Sequence, residues 1–230
     1  MKILTYDDIT ITPLRFTDNP GALAKIACDM TMQTQPDVNN NVSIPKGLLK
    51  FILTAEHTSV LEHCSISLNV KGVSRSLLAQ LSRHRHASLT SQSQHYQDYS
   101  DAPVVISKAA KESGWYNGVF ESEFIEYKLL LQAGCAKEEA RQVLPNAAAV
   151  NLLWTVNARG LLTFLRPRLC WRNVEEMRIF AKKVWSASML WWPELFVNVG
   201  PPCMLGKCNQ GVMSEGCPHI TEGGFKHDDN

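Results

Sequence analysis

The sequence predicts a single domain of the α+β class. The chain has 230 residues, of which 45% are hydrophobic and 20% charged, so it can bury one substantial core but is short for two full domains. Some segments alternate apolar and polar residues as half-buried strands do, and others show the apolar spacing of helices. The first half therefore mixes α and β elements, while the second half is mostly helical.

The strand predictions rest on alternation. Residues 9–12 alternate over a short stretch that Pro13 should end, and residues 64–70 alternate over seven positions. The apolar run 151–156 is compatible with a strand or with a buried helical piece, because periodicity alone does not separate the two.

The helix predictions rest on apolar spacing and on capping residues. Ser74 is placed to cap a helix that leads into Arg83, and Asn173 with Glu176 has the spacing of a capping box. Residues 97–114 have the composition of a loop. Helices are expected at 22–32, 45–53, 74–81, 120–131, 137–144 (ended by Pro145) and 173–192.

The charge balance and the chain start narrow the possible partners and location. With 23 basic and 22 acidic residues the net charge is +1, which does not indicate a nucleic acid or an anionic membrane as main partner. The N-terminus lacks the pattern of a signal peptide, and no stretch approaches the roughly 20 apolar residues of a membrane helix. We therefore expect a cytoplasmic protein.

Cysteine usage argues against a disulfide framework. The seven cysteines are an odd number, and Cys28, Cys64, Cys135 and Cys170 lie in apolar stretches. The other three lie in a glycine-rich tail, residues 201–230, which follows the expected domain at 1–200. Our expectation is free thiols and no metal, with Zn²⁺ as the weaker alternative; its ligands would be Cys203, Cys208, Cys217 and His219.

The segment 83–96 is unlike the rest of the chain. It opens with Arg83-His84-Arg85-His86 and continues as a run of hydroxyl and amide side chains almost free of apolar residues. Guanidinium groups bind phosphate oxygens and carbonyl edges in pairs, and Ser, Thr and Gln supply further donors and acceptors. A nucleotide site and a solvated loop are both compatible with this composition alone.

The spacing within this segment resembles the signature R-H-R-x-x-S-x-x-x-x-S-x-R of the flavin-dependent thymidylate synthases. Arg83, His84, Arg85, Ser88 and Ser93 match, and the last position departs. The resemblance covers roughly residues 1–200 and extends to further motifs in the same order. These are His57-x-x-x-x-Glu62-His63, Gln80-x-x-Arg83, and Asn157-Ala158-Arg159 with Arg168 eleven residues after Asn157.

The resemblance implies a mixed or antiparallel central sheet flanked by helices and a homotetramer whose subunits share active sites. It also implies FAD as cofactor, NADPH as reductant, methylenetetrahydrofolate as carbon donor and dUMP as the nucleotide that is methylated at C5. The flavin contacts carried over from the family are Ser59, Arg83, His84, Arg85, Ser91, Asn157, Arg159 and Thr163. The nucleotide contacts carried over are Gln80, Arg83, Ser91, Gln92, Ser93, Gln94, His95, Arg141 and Arg168.

The resemblance makes Arg168 the catalytic residue. C5 of uracil becomes nucleophilic only when negative charge is raised on the ring, and an arginine would stabilise the ring as it ionises at N3. The signature segment and the 157–168 block contain no cysteine that could add to C6 instead. A charged loop is the simpler interpretation of Arg166-Pro167-Arg168.

Other residues also have simpler interpretations. Arg141 could pair with Glu138 on a charged helix, and His57 and His63 could be structural. Near Trp171, family members often carry a polar residue that touches the flavin, and Arg172 could take that role or face solvent.

The last signature position holds His95 where the family has an arginine. Histidine changes charge near neutral pH and arginine does not, so a charge at this position becomes conditional. We expect dUMP to remain the substrate, with Arg141 and Arg83 holding its phosphate. The alternatives are a methylase or hydroxymethylase of a related nucleotide such as UMP, or an inactive homologue that still binds flavin. An RNA-binding module is disfavoured because the segment offers only Tyr96 for base stacking.

Overall fold

The chain forms one α+β domain in the computed structural model, which describes residues 1–32, 44–116, 118–205, 208 and 210–218. This confirms the predicted fold class. The strands are β1 (Ile3–Thr5), β2 (Thr10–Phe16), β3 (Ser65–Ser74), β4 (Ala87–Ser91), β5 (Val104–Ile106) and β6 (Ala149–Asn157). The helices are α1 (Pro20–Thr31), α2 (Lys46–Thr54), α3 (Arg75–Leu81), α4 (Lys108–Ser113), α5 (Val119–Gln132), α6 (Lys137–Ala140), α7 (Ala158–Arg168), α8 (Glu175–Trp191) and α9 (Pro193–Phe196).

The central sheet is antiparallel and has the strand order β2-β3-β6-β4. Trp154 of β6 lies opposite Leu68 of β3 and Leu89 of β4. The apolar run 151–156, whose sequence was compatible with a strand or a helix, is therefore part of strand β6. A separate pair, β1 and β5, runs parallel and gives the structure its mixed character.

Pro13 lies inside β2, although it was expected to end that strand. The sheet order explains why: β2 is an edge strand, so the missing N–H of proline costs no hydrogen bond on the solvent side. The register with β3 shifts between Pro13 and Arg15, which absorbs the local irregularity.

The core lies between one face of this sheet and the helices α7 and α8. Trp154, Phe164 and Phe180 are fully buried there. The Phe164 ring meets the Trp154 ring edge-on with centroids 5.0 Å apart and the Phe180 ring at 5.8 Å. Such edge-to-face pairs add to the free energy of burial, so α7 is held firmly against β6.

Two of the predicted helix caps have different outcomes. Ser74 caps α3 as expected, because its hydroxyl accepts from the Leu77 N–H at 2.9 Å. Asn173 does not cap α8, which begins at Glu175 after Val174. The Glu176 carboxylate instead accepts from the backbone N–H and the hydroxyl of Ser74, at 2.7 and 2.6 Å.

Residues 97–114, which were expected to form a loop, contain regular secondary structure that their composition did not indicate. It carries β5 and α4, and α4 is capped by Ser107. The predicted helix 137–144 divides into α6 and a 3-10 turn, Arg141–Val143. The polar run after His86 is partly a strand, β4, rather than a free loop.

None of the helices in the described part of the chain is long and apolar enough to cross a membrane. All seven cysteines are free thiols.

Candidate active site

A cleft of about 510 Å³ lies where the turn after α3 meets the start of α7. One wall comes from the signature segment and the other from the junction of β6 with α7. Glu62 closes one side, and Trp154 and Val156 form the floor. The remaining lining residues are Arg83, His84, Arg85, His86, Ala87, Asn157, Arg159, Gly160 and Thr163.

The β6–α7 junction is held by Asn157, whose side chain accepts from the Gly160 N–H at 2.7 Å and caps α7. Space at Gly160 is tight. A Cβ at this position would lie 3.0 Å from Val156 Cγ2 and 3.3 Å from the His86 carbonyl oxygen. The helix start, the strand and the signature segment therefore abut at one point, which fixes the width of the cleft.

Arg159 and Glu62 form an ion pair across the cleft mouth. Both side chains are about half exposed, at 47% each. An exposed pair contributes little to stability, so the guanidinium can be redirected toward an anionic ligand at small cost.

Arg168 is held by two neighbours at the end of α7. Its Nε donates to His84 Nε2 at 3.3 Å, and its Nη1 donates to the Asn173 side-chain oxygen at 3.1 Å. The Asn173 amide donates to the Pro167 carbonyl at 2.6 Å. Arg168 is thus partly buried and fixed, not part of a charged loop.

The surroundings of His84 favour the neutral form of its imidazole. Burial lowers the pKa of its imidazole below the ordinary value, and the Arg168 guanidinium lowers it further. The ring also packs edge-on against Phe164, with centroids 5.0 Å apart. A neutral imidazole can accept a hydrogen bond, which is the role that Arg168 requires.

The other expected nucleotide contacts form a second cluster. His95 Nε2 lies 3.0 Å from Glu138 Oε2, and Arg141 Nε donates to the Glu138 carbonyl oxygen at 3.1 Å. Of the two interpretations of Arg141, pairing with the Glu138 carboxylate is not what the structure shows: the guanidinium bonds the Glu138 backbone, and the carboxylate faces His95. Gln92, which follows β4, donates its backbone N–H to the Asn151 carbonyl near the start of β6.

The two clusters lie at opposite ends of β4. Ala87 pairs with Val156 beside the cleft, whereas Ser91 pairs with Leu152 at the far end of the strand. At about 3.3 Å per residue, the strand separates them by roughly 13 Å. The predicted site residues are thus brought together in two groups, not one.

Six of the eight expected flavin contacts line the cleft; Ser59 and Ser91 do not. Ser59 lies in the 3-10 turn Thr58–Leu61 directly before Glu62. Gln80 precedes the signature in α3, Ser93 accepts from the His95 N–H, and Gln94 is buried. Two contacts were not predicted from the sequence. These are the bond from Arg168 to Asn173 and the pairing of Glu138 with His95.

Arg172 and Trp171, which follow α7, do not line the cleft. Arg172 donates to the Gln210 side chain of the tail, and Arg178 stacks over the Trp171 ring at 4.1 Å. His57 and His63 are exposed. Among the described residues no group of three or more His, Cys, Asp or Glu side chains could hold a metal ion as it stands, and His219 lies outside that part of the chain.

Comparison with known proteins agrees with the geometry. Residues 14–194 match the family model described as thymidylate synthase complementing protein. The flavin-dependent thymidylate synthase of Geobacter sulfurreducens is 36% identical over 176 residues, covering 74% of this chain and 76% of the relative. That of Clostridium tetani is 33% identical over 240 residues, covering 94% and 92%.

Solved structures share the fold. A UMP/dUMP methylase, PolB, from Streptomyces cacaoi, bound with 5-Br dUMP, superposes with a TM-score of 0.73 at 23% identity over 86% of this chain and 96% of that one. The flavin-dependent thymidylate synthase ThyX from Helicobacter pylori, complexed with FAD and dUMP, gives 0.66 at 23% identity over 83% and 99%. With the sequence matches above, the chain belongs to the flavin-dependent thymidylate synthase family of enzymes.

Proposed function

We propose that the chain methylates dUMP at C5, with FAD as cofactor, methylenetetrahydrofolate as carbon donor and NADPH as reductant. The observation that carries the proposal is the cleft in which Arg83, Arg85 and Arg159 meet beside a fixed Arg168. Three guanidinium groups around one cleft suit a ligand that carries phosphate and planar carbonyl edges.

The residues of the cleft fit FAD by their chemistry. Arg83, Arg85 and Arg159 supply forked donors for diphosphate or ring carbonyl oxygens, and Asn157 and Thr163 add neutral polar groups. When bound, the flavin supplies the hydride chemistry of the reaction. Glu62 holds Arg159 until an anionic group takes its place.

Arg168 would raise the nucleophilicity of the pyrimidine. A guanidinium beside N3 stabilises the negative charge that develops when the ring loses that proton, and charge on the ring activates C5. His84 and Asn173 hold the guanidinium in one orientation before substrate binds, so little reorganisation is needed. The cleft lining contains no cysteine for addition to C6.

The arrangement supports a site shared between subunits. Arg168 and His84 lie at one end of β4, and His95 and Arg141 lie at the other. The strand between them spans roughly 13 Å of backbone. We infer that the His95 group that meets the nucleotide at each cleft comes from a second chain, as in a homotetramer.

Release of tritium from 5-labelled dUMP tests the activity. Purified protein with FAD, NADPH and methylenetetrahydrofolate should release label from dUMP and not from UMP. Release from UMP alone would establish the alternative acceptor, and release from neither, in a yellow protein, would establish an inactive flavoprotein. A colourless protein that takes up no FAD would overturn the proposal itself.

Mixing variants tests the shared site. Arg168→Ala and Arg141→Ala should each be inactive alone, and a refolded mixture should regain activity because some sites combine two intact halves. A mixture that stays inactive would place both residues in one chain's site.

We further propose that residues 1–200 form the catalytic domain and 201–230 a separate tail. We expect a cytoplasmic enzyme that binds neither nucleic acid polymers nor membranes.

A further inference from the structure

Four cysteines from two distant parts of the chain surround one small cavity. Cys170 follows the end of α7, while Cys203, Cys208 and Cys217 come from the tail. The cavity measures about 10 Å³, which is the space of roughly one water-sized sphere. Sequence reasoning had grouped the three tail cysteines with His219; the structure adds Cys170.

The four thiols line the same cavity. Cys217 is 7% exposed, and the other three are half-buried. Four clustered thiols are more than packing requires, because one cysteine fills such a gap as well as any small apolar residue.

The described part of the tail contains little regular structure. None of the three buried hydrophobic clusters in the described chain includes a residue after Val199. The tail's regular structure there consists of two 3-10 turns, Pro202–Leu205 and Gly211–Ser214. Short segments without a core are commonly fixed by a metal ion or by disulfides, and these thiols are free.

We propose that Cys170, Cys203, Cys208 and Cys217 bind one Zn²⁺ ion as four thiolates. As the side chains stand, no three His, Cys, Asp or Glu residues of the described chain form a group that could hold a metal ion. Binding would therefore require the four thiols that line the cavity to turn toward it, to tetrahedral Zn–S distances of about 2.3 Å. Binding releases the thiol protons to solvent and involves no change of oxidation state.

The consequence of the ion would be to fasten the tail to the end of α7. Cys170 lies two residues after Arg168, and Arg172 already bonds Gln210 of the tail. A zinc ion at Cys170 would therefore brace the segment from which Arg168 and Asn173 project.

Metal analysis of the full-length chain tests the proposal independently of catalysis. Protein purified under reducing conditions and reconstituted with ZnCl₂ should hold about one zinc ion per chain after desalting. Cys170→Ser should lose the zinc, whereas the matched control Cys135→Ser, a half-buried free thiol in another part of the fold, should retain it. Zinc below about one tenth of an ion in the reconstituted wild type, or full zinc in Cys170→Ser, would overturn the assignment.

Cobalt keeps the test decisive if Cys170→Ser fails to fold. CoCl₂ added to the reduced wild type should give the intense near-ultraviolet charge-transfer bands of thiolate ligands and the visible bands of tetrahedral cobalt. Cys208→Ser, on the tail, should weaken both. Absence of these bands in the wild type, or a thiol titration showing the cluster oxidised to disulfides in the reduced preparation, would refute a four-thiolate site.

Discussion

The Nε2 atom of His84 accepts from the Arg168 guanidinium, with both Nε and Nη2 at 3.3 Å. One residue of the signature segment thus lines the cleft and also positions the residue to which we assign catalysis. The contact joins two parts of the chain 84 positions apart. Its geometry requires an unprotonated imidazole, which the lowered pKa of His84 provides.

Arg168→Lys should lower kcat for dUMP about 100- to 1,000-fold, the usual effect of removing one donor that stabilises developing negative charge. Lysine keeps the charge but not the planar fork that meets His84 and Asn173 together. The measurement is steady-state turnover with the flavin content determined in parallel. Arg166→Lys is the matched control, because Arg166 lies two residues away and faces Glu56 at 3.7 Å. Equal losses in both variants would contradict a specific role for Arg168.

Asn173→Ala should lower kcat less than Arg168→Lys, about 10-fold, because it frees the guanidinium without removing it. The lost contacts are the 3.1 Å bond to Arg168 and the 2.6 Å bond to the Pro167 carbonyl. KM for dUMP and the flavin content should change little. A large rise in KM with unchanged kcat would show that Asn173 acts on substrate binding instead of on orientation.

The local elements near this site followed from sequence more readily than their contacts. Ser74 capped α3 as its spacing predicted, and the signature motif located the cleft. The predicted capping box of Asn173 and Glu176 does not form, because both side chains bond tertiary partners instead. Asn173 bonds the Pro167 carbonyl at the end of α7, and Glu176 bonds Ser74. Ser74 and Glu176 are more than a hundred residues apart in the sequence, so no local sequence pattern could have predicted that they pair.

Composition also fails to predict a strand whose stability comes mainly from pairing with another part of the chain. Val104–Ile106 is a strand because β1 pairs with it, and only the fold brings Ile3 opposite Val104. The division of the site into two groups likewise depends on the length of β4 and could not be read from the motif, in which His84 and His95 are eleven residues apart.

Acid should destabilise the protein through His84. The folded-state pKa is lowered, so between the unfolded value of about 6.5 and the folded value only the unfolded chain binds this proton. The contribution of His84 to stability is complete above about pH 6.5 and is lost as the pH falls through the folded pKa. Tm measured from pH 7.5 to 5 should fall less steeply in His84→Gln than in the wild type. The exposed His63, changed to Gln, should leave the slope unaltered, and identical slopes in all three proteins would contradict this account.

Glu176 fixes the start of α3 from α8 and should be needed for stability. Glu176→Ala leaves the Ser74 N–H and hydroxyl without their partner in a buried position, which should lower the free energy of unfolding by about 1–3 kcal/mol. Glu176→Gln keeps an acceptor for the N–H and should cost less. Urea denaturation measures both, with the exposed neighbour Glu175→Ala as control. Equal stabilities of the Glu176→Ala and Glu176→Gln proteins would show that the hydrogen bonds to Ser74 contribute nothing.

Burial is the main reason that the pKa of Glu176 is raised above its ordinary value, although the bonds from Ser74 act in the other direction. A raised carboxyl pKa means that the folded state holds the proton longer than the unfolded state does. Its contribution to stability is therefore greatest below about pH 4.5 and declines as the pH rises through the folded pKa. Glu176→Gln removes this decline, so the stability difference between wild type and variant should depend on pH between the two pKa values.

His95→Arg should strengthen dUMP binding. An arginine keeps its charge at every relevant pH, and a hydrogen bond to a charged donor contributes about 1 kcal/mol more than a neutral one, so KM should fall about fivefold. Glu138 competes for either side chain, because it already lies 3.0 Å from His95 Nε2. Relieving that competition by Glu138→Gln should therefore also lower KM, and the two changes together should lower it further. His95→Gln is the matched control, since it keeps a polar side chain but cannot carry charge. If KM is the same in the His95→Arg and His95→Gln proteins, position 95 does not contact the nucleotide phosphate, and Arg141 and Arg83 must hold it without help.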